Sequence, residues 1–166
     1  MAARRCFGCW VALCGGGFAV GVAVTRSVDL PREARAFLDA VAVGESGGAD
    51  DDAAYSVVFG GGHFGLPWPP GFPEWGGVRV GDSMTHAAGR YQFEPATWRG
   101  LGGGSFDPEN QDGRAWQLAG EVKPALLARL VSDSLDGLAT ALQSTWTSLS
   151  EDTFPERYRA ALEKIG

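Results

Sequence analysis

The chain has 166 residues, room for one domain with a proper core. Its 45% hydrophobic and 20% charged content are those of a globular protein, and the formal charge of −6 argues against nucleic acid as a partner, because phosphate binding needs a basic face. Many of the 25 glycines stand in runs (15–17, 47–48, 60–62, 76–77, 102–104), which mark loops and hinges, and nothing repeats internally.

Residues 1–26 are of a different material from the rest. Arg4 and Arg5 precede an uncharged stretch from Cys6 to Thr25, which Arg26 closes. A positive start followed by an apolar run is the pattern of a signal peptide or a signal anchor. "AVG" (19–21) and "GVA" (21–23) offer small residues for cleavage, whereas Leu13 before Cys14 is too large for a lipoprotein site. The run is just long enough to span a bilayer, although its glycines make it a weakly apolar anchor. The alternative is a buried leader helix of the domain. The paired arginines predict a cytoplasmic N-terminus, so residues 27–166 should be exported across the inner membrane, periplasmic or tethered by residues 1–26. Cys6, Cys9 and Cys14 all lie in this leader, which leaves the exported body without a disulfide. "CFGC" has metal or redox spacing but reads as part of the apolar run. Taking the leader's three arginines from the 14 basic residues leaves 11 against 20 acids, a body charge of −9.

The body opens with a helix predicted over 32–45. Ala34, Leu38, Val41 and Glu45 recur at intervals of four, three and four, and so share one side of it. Phe37 and Ala42 widen that stripe, Arg32, Arg35 and Asp39 sit largely off it, and Gly47 and Gly48 stop the helix. Glu45 thus falls at the carboxyl end on the inward side. Desolvation and the negative helix terminus both oppose its ionisation, as a general acid working near neutral pH requires. A frayed last turn with Glu45 in water fits the spacing equally well. "AAYSVVFGG" (53–61) has the composition of a short strand or hairpin arm. Residues 60–87, rich in Gly, Pro and Trp, show neither period and predict a long irregular loop. Helices follow: "EPATWRGL" with Pro95 in its first turn, then "DPENQDGRAWQLA" with Asp107 as N-cap and Pro108 at the first helical position. After "KPALLARLV" comes "SLDGLATALQSTW", where Leu135, Leu138, Leu142 and Trp146 recur at helical spacing, and "PERYRAALEKI" closes the chain. The fold class is α+β, mostly helical, with a small β-hairpin or sheet region.

The chemistry on offer is narrow. His63 and His86 are the only histidines and neither has a ligand-spaced partner, so no metal is implied. The body has no cysteine, no Gly-x-Ser-x-Gly elbow and no phosphate-cradling glycine motif, and no cofactor is called for. Elimination leaves the carboxylate of Glu45. A second dense cluster is "HAAGRYQFEPATW" (86–98). There Tyr91 and Gln92, between a glycine turn and a helix start, can hydrogen-bond sugar hydroxyls and acetamido groups. The alternative makes Tyr91 and Phe93 core residues, with Arg90 capping a surface; Phe93 and Trp98 read as core.

"RAFLDAVAVGES", "YSVVFGG", "AAGRYQFEPATW", "FDPENQD" and "TWTSL", in that order, resemble the lambda-type bacteriophage endolysins, lysozyme-like lytic transglycosylases acting on peptidoglycan. The resemblance covers roughly residues 33–150 and leaves the leader outside. It implies a lysozyme-like fold for 27–166, with Glu45 at the catalytic position. It also makes Tyr55, Tyr91 and Trp146 candidates for substrate binding. The Glu-Ser pair and the later glutamine are similar to those of the wider soluble lytic transglycosylases, which adds Ser46 and Gln92. The loop at 62–86 departs from the family text, and its Trp68 and Trp75 belong on a cleft rim. The mechanism implied is proton donation by Glu45 to the glycosidic oxygen between N-acetylmuramic acid and N-acetylglucosamine. The carboxylate then takes the proton of the muramyl 6-hydroxyl as it closes to a 1,6-anhydro product. The partner implied is the glycan strand of peptidoglycan, with contact to a membrane only through the leader and the protein a monomer. Two alternatives stay open. One is a hydrolase with a second carboxylate, for which Asp50, Asp51 or Asp52 would serve, although "ADDDAA" reads as a solvated turn. The other is a non-catalytic cell-wall-binding protein on the same scaffold. The glycine-softened leader also resembles in composition those of exported endolysins released when the membrane depolarises.

Overall fold

A computed structural model describes residues 29–48 and 52–166; the leader at 1–26, with its expected helix and cysteines, lies outside the described residues, as do Asp50 and Asp51. The first helix, α1 (Arg32–Glu45), has the predicted bounds, and Gly47 beyond its end takes φ +73°. Its inward stripe is buried, but Ala36 and Ala40 are also fully buried, so burial runs nearly all round the helix. These small side chains let three later helices, α3 (Pro108–Val122), α4 (Leu126–Val131) and α6 (Phe154–Ile165), close on α1 from several sides. Phe37 pins the packing. Its ring meets Trp116 and Trp146 edge-on at 6.1 Å and Phe154 at 5.9 Å, which joins three later segments to α1.

The strand region is where expectation and structure part. "AAYSVVFGG" does not form a strand: Asp52–Ser56 is a 3₁₀ turn, and Val57 and Val58 make only isolated bridges, to His63 and Ala88. The paired strands lie inside the stretch expected to be irregular. β1 (Val78–Val80) and β2 (Ser83–Thr85) form an antiparallel hairpin with Val78 opposite Thr85 and Val80 opposite Ser83. Gly81 takes φ +59° at the first loop position, which a two-residue type II′ turn requires. The hairpin is exposed on both faces apart from Thr85, so no buried side exists to imprint a period of two.

The remaining helices follow the predicted order. α2 (Pro95–Gly100) starts on its proline, and α3 (Pro108–Val122) is capped by Asp107, whose carboxylate accepts from the Asn110 N–H at 2.9 Å. α4 (Leu126–Val131) is followed by α5 (Leu138–Leu142), much shorter than the spacing of 135–146 predicts. Gly137 at φ +67° breaks the run before α5, while Leu135 and Trp146 are buried from outside it. α6 (Phe154–Ile165) returns to lie along α1. No helix among the described residues is long and apolar enough to cross a membrane.

One buried polar residue ties the small lobe to the helices. Gln111 of α3 is fully buried; its amide nitrogen donates to the carbonyls of Tyr55 (3.0 Å) and Phe106 (2.9 Å), and its oxygen accepts from the Arg90 N–H (3.0 Å). Only glycine fits opposite it, since Gly89 has φ +79° and a Cβ there would overlap the Gln111 carboxamide. Gln111→Leu would bury three backbone groups without partners and should cost about 3 kcal/mol or more, lowering the melting temperature by roughly 10 °C. Calorimetry of the variant checks this, and an unchanged melting temperature would contradict the account.

Candidate active site

The last turn of α1 delivers Glu45 to a half-buried position, where its carboxylate meets the segment leading into α6. Ser148 Oγ donates to Glu45 Oε1 at 2.6 Å, and the Ser148 N–H approaches the same oxygen at 3.4 Å. Gly44 makes the approach possible: a Cβ there would stand 2.9 Å from Ser148 Cβ and 2.8 Å from Arg157 Nη1. Burial dominates the electrostatics and raises the Glu45 pKa above its usual 4.5, while the two Ser148 hydrogen bonds oppose the rise. The carboxyl is therefore biased toward holding its proton, yet its conjugate base has a donor in place.

Trp146 extends the site away from Glu45. It is buried, its ring packs on Phe37 of α1, and its indole N–H donates to the Tyr91 carbonyl at 3.3 Å. It also lines a cavity of about 310 Å³ with Gln92, Glu94, Thr97, Ser144 and Thr145. Gln92 sits there at φ +48°, a left-handed conformation uncommon for a residue with a side chain, and its amide nitrogen bonds back to the Gly89 carbonyl at 2.8 Å. Aromatic walls with hydroxyls and an amide are the lining a sugar needs. The segment 144–148 thus reaches from the cavity wall to the carboxylate of Glu45, which is not itself part of the wall.

Of the other expected residues, Tyr91 shares this cavity wall, whereas Ser46 and Tyr55 lie outside it. Ser46 caps α1, with its hydroxyl donating to the Ala42 carbonyl at 3.1 Å. Tyr55 and Tyr91 turn their hydroxyls onto Asp112, at 2.9 and 2.6 Å, and both accept from Arg90 Nη1 at 3.0 Å. Arg90 is buried and also donates to Asp39 of α1 at 2.6 Å. Burial and the neighbouring Asp112 push both phenols upward, so they stay protonated. The structure therefore groups the Tyr55 and Tyr91 hydroxyls round an Arg90–Asp112 centre, and brings Tyr91, Gln92 and Trp146 together at the cavity wall. Asp39, placed off the buried stripe by its spacing, turns out to anchor Arg90. Among the acids, Asp52 is exposed at the 3₁₀ turn, whereas Glu94 is held by the Thr85 hydroxyl and the His86 N–H (3.3 Å). No group of three His, Cys, Asp or Glu side chains among the described residues is arranged to hold a metal. Ser148 escaped the sequence reading because its partner lies 103 residues away; its presence in "TWTSL" was the one available sign.

Residues 35–165 match a family model described as Endolysin. The fold is similar to a bacteriophage lambda lysozyme complexed with a chitohexasaccharide, with a TM-score of 0.67 and 24% identity over 81% of this chain and 96% of that one. A second structure of lysozyme from bacteriophage lambda aligns with a TM-score of 0.63 and 23% identity, over 83% of this chain and 94% of that one. No curated protein matches the sequence.

The raised Glu45 pKa has a sign that stability can report. A carboxyl that holds its proton more tightly when folded leaves stability intact below the unfolded value of 4.5 and erodes it as pH rises through the folded pKa. Glu45→Gln keeps an oxygen for Ser148 and has no charge to bury. It should melt above the parent at about pH 7 and with it at about pH 4. A gap independent of pH in thermal scans would contradict this.

Proposed function

The chain belongs to the endolysin family, and on that premise we propose that it degrades peptidoglycan as a lytic transglycosylase with Glu45 as both acid and base. The observation that carries the reading is the half-buried Glu45 carboxyl, its pKa raised by desolvation, with the Ser148 hydroxyl donating to one oxygen. Protonated, it gives its proton to the glycosidic oxygen linking N-acetylmuramic acid to N-acetylglucosamine, and the bond from the anomeric carbon to that oxygen breaks. As carboxylate it then takes the proton of the muramyl 6-hydroxyl, whose oxygen bonds to the anomeric carbon and closes the 1,6-anhydro ring. Glu45 ends protonated, ready for the next cycle, and no water enters. Among the described residues, Asp39 and Asp112 are tied to Arg90 and Glu94 to Thr85 and His86, which supports a single-carboxylate scheme. The lambda lysozyme of similar fold is complexed with a chitohexasaccharide, which supports a glycan strand as the ligand of the groove beside Gln92 and Trp146. The charged start and apolar run of residues 1–26 support export of this activity.

Glu45→Gln should lower muralytic activity by about 10²–10⁴-fold with folding intact, and retained activity in a turbidity assay on purified walls would end the proposal. Mass spectrometry of the wild-type digest should find 1,6-anhydromuramyl ends. Reducing ends would mean hydrolysis, and wall binding without soluble products would mean a non-catalytic scaffold. Ser148→Ala removes the donor that favours the carboxylate, so the Glu45 pKa rises and the alkaline limb of the rate profile should move to higher pH. An unmoved or acid-shifted limb would exclude that role for Ser148.

A further inference from the structure

A second cavity, of about 280 Å³, lies on the other side of α2 from the first. Thr97 of α2 lines the first cavity, while Pro95 and Arg99 of the same helix line the second, together with Phe72, Glu74, Trp75 and His86. Its floor is held firmly. The Trp75 indole donates to the His86 carbonyl at 2.9 Å, and the two rings meet edge-on at 6.1 Å. Gly77 at φ +69° permits this fold of the loop, since a Cβ there would stand 2.7 Å from His86 Nε2. Glu94, which lines the first cavity, holds the far wall through the Thr85 hydroxyl and the His86 N–H.

The rim carries opposite charges that the fold does not use. Glu74 and Arg99 are exposed, and neither side chain has an ion pair or hydrogen bond among the described residues. An apolar floor between a free carboxylate and a free guanidinium suits a small ligand with its own amine, carboxylate and methyl groups. A helix with its side chains is about 10–12 Å across, and three or four extended residues reach about 10–14 Å. A peptide attached to a sugar in the first cavity therefore has the length to cross α2 and end in the second.

We infer that this cavity is a subsite for the stem peptide of peptidoglycan, which holds a carboxylate of that peptide on Arg99, an amino group on Glu74 and alanyl methyls on Phe72 and Trp75. The inference rests on the glycan-cleaving reading above and deepens it, because it makes the enzyme prefer strands that still carry their peptides. Arg99 and Glu74 act as specificity residues, remote from the proton transfers at Glu45.

Two measurements with the full chain, one free of catalysis, test it. Free stem tetrapeptide titrated into the protein should shift the Trp75 indole resonance saturably, and Arg99→Ala should weaken that binding about tenfold, the loss expected for one charge-assisted hydrogen bond. Glu74→Gln should weaken it in the same direction, with melting temperatures unchanged in both exposed-site variants. In digestion assays Arg99→Ala should lower kcat/KM about tenfold on peptide-bearing strands and leave strands stripped of peptide by an amidase at the parental rate. Absence of saturable binding, binding indifferent to Arg99→Ala, displacement of the peptide by chitohexaose, or an equal loss on both strand types would overturn the subsite. Arg99-dependent peptide binding with neither strand cleaved would sink the enzymatic reading and leave the subsite standing.

Discussion

The structure turns on one acid placed where water cannot fully reach it. Glu45 ends a helix that is buried along nearly its whole length, so its carboxyl emerges at the edge of the core. Desolvation raises its pKa, and the contact from Ser148 at 2.6 Å keeps it fixed in direction. That contact demands a glycine at 44, because any side chain there would push the 148 segment away. Phe37, with rings from α3, the 146 segment and α6 around it, keeps the same segment pressed onto α1. Packing thus sets the electrostatics.

A second centre positions the cavity wall. Arg90 lies buried between Asp39 and Asp112, with two phenol oxygens on one of its nitrogens, and joins α1, the 3₁₀ turn, the 89–92 turn and α3 at one point. Such a charge is tolerated in the core only because partners surround it. Gln111 fixes the backbone of the same turn from α3. Together they hold Gln92 in its left-handed conformation at the cavity wall. Tyr55 belongs to this support, and Tyr91 to both the support and the cavity wall.

The sequence carried the helical half of this plainly and the rest unevenly. α1 and α3 were legible from a period, a proline and a cap that act within a few residues. Helical spacing put Glu45 on the inward stripe but fitted a frayed end equally well; elimination and the family resemblance singled it out. The hairpin at 78–85 could not, since three-residue strands exposed on both faces leave no alternation to detect, and "YSVVFGG" drew attention by composition while forming only bridges. The long run at 135–146 kept its apolar spacing through a break, because leucines outside a helix can fill the same core as those within it. Asp39 and Ser148 were hidden for a different reason. Each acquires its meaning from a partner 51 or 103 residues distant, and no local pattern encodes such pairs.

Burial at the end of α1 makes Glu45 a reluctant acid. A carbon-13 NMR titration of the Glu45 side-chain carboxyl in the wild-type protein measures this without any substrate. The midpoint should lie above the usual 4.5 of a glutamate. A midpoint at or below that value would show a solvated or ion-paired carboxylate, one that burial does not keep protonated.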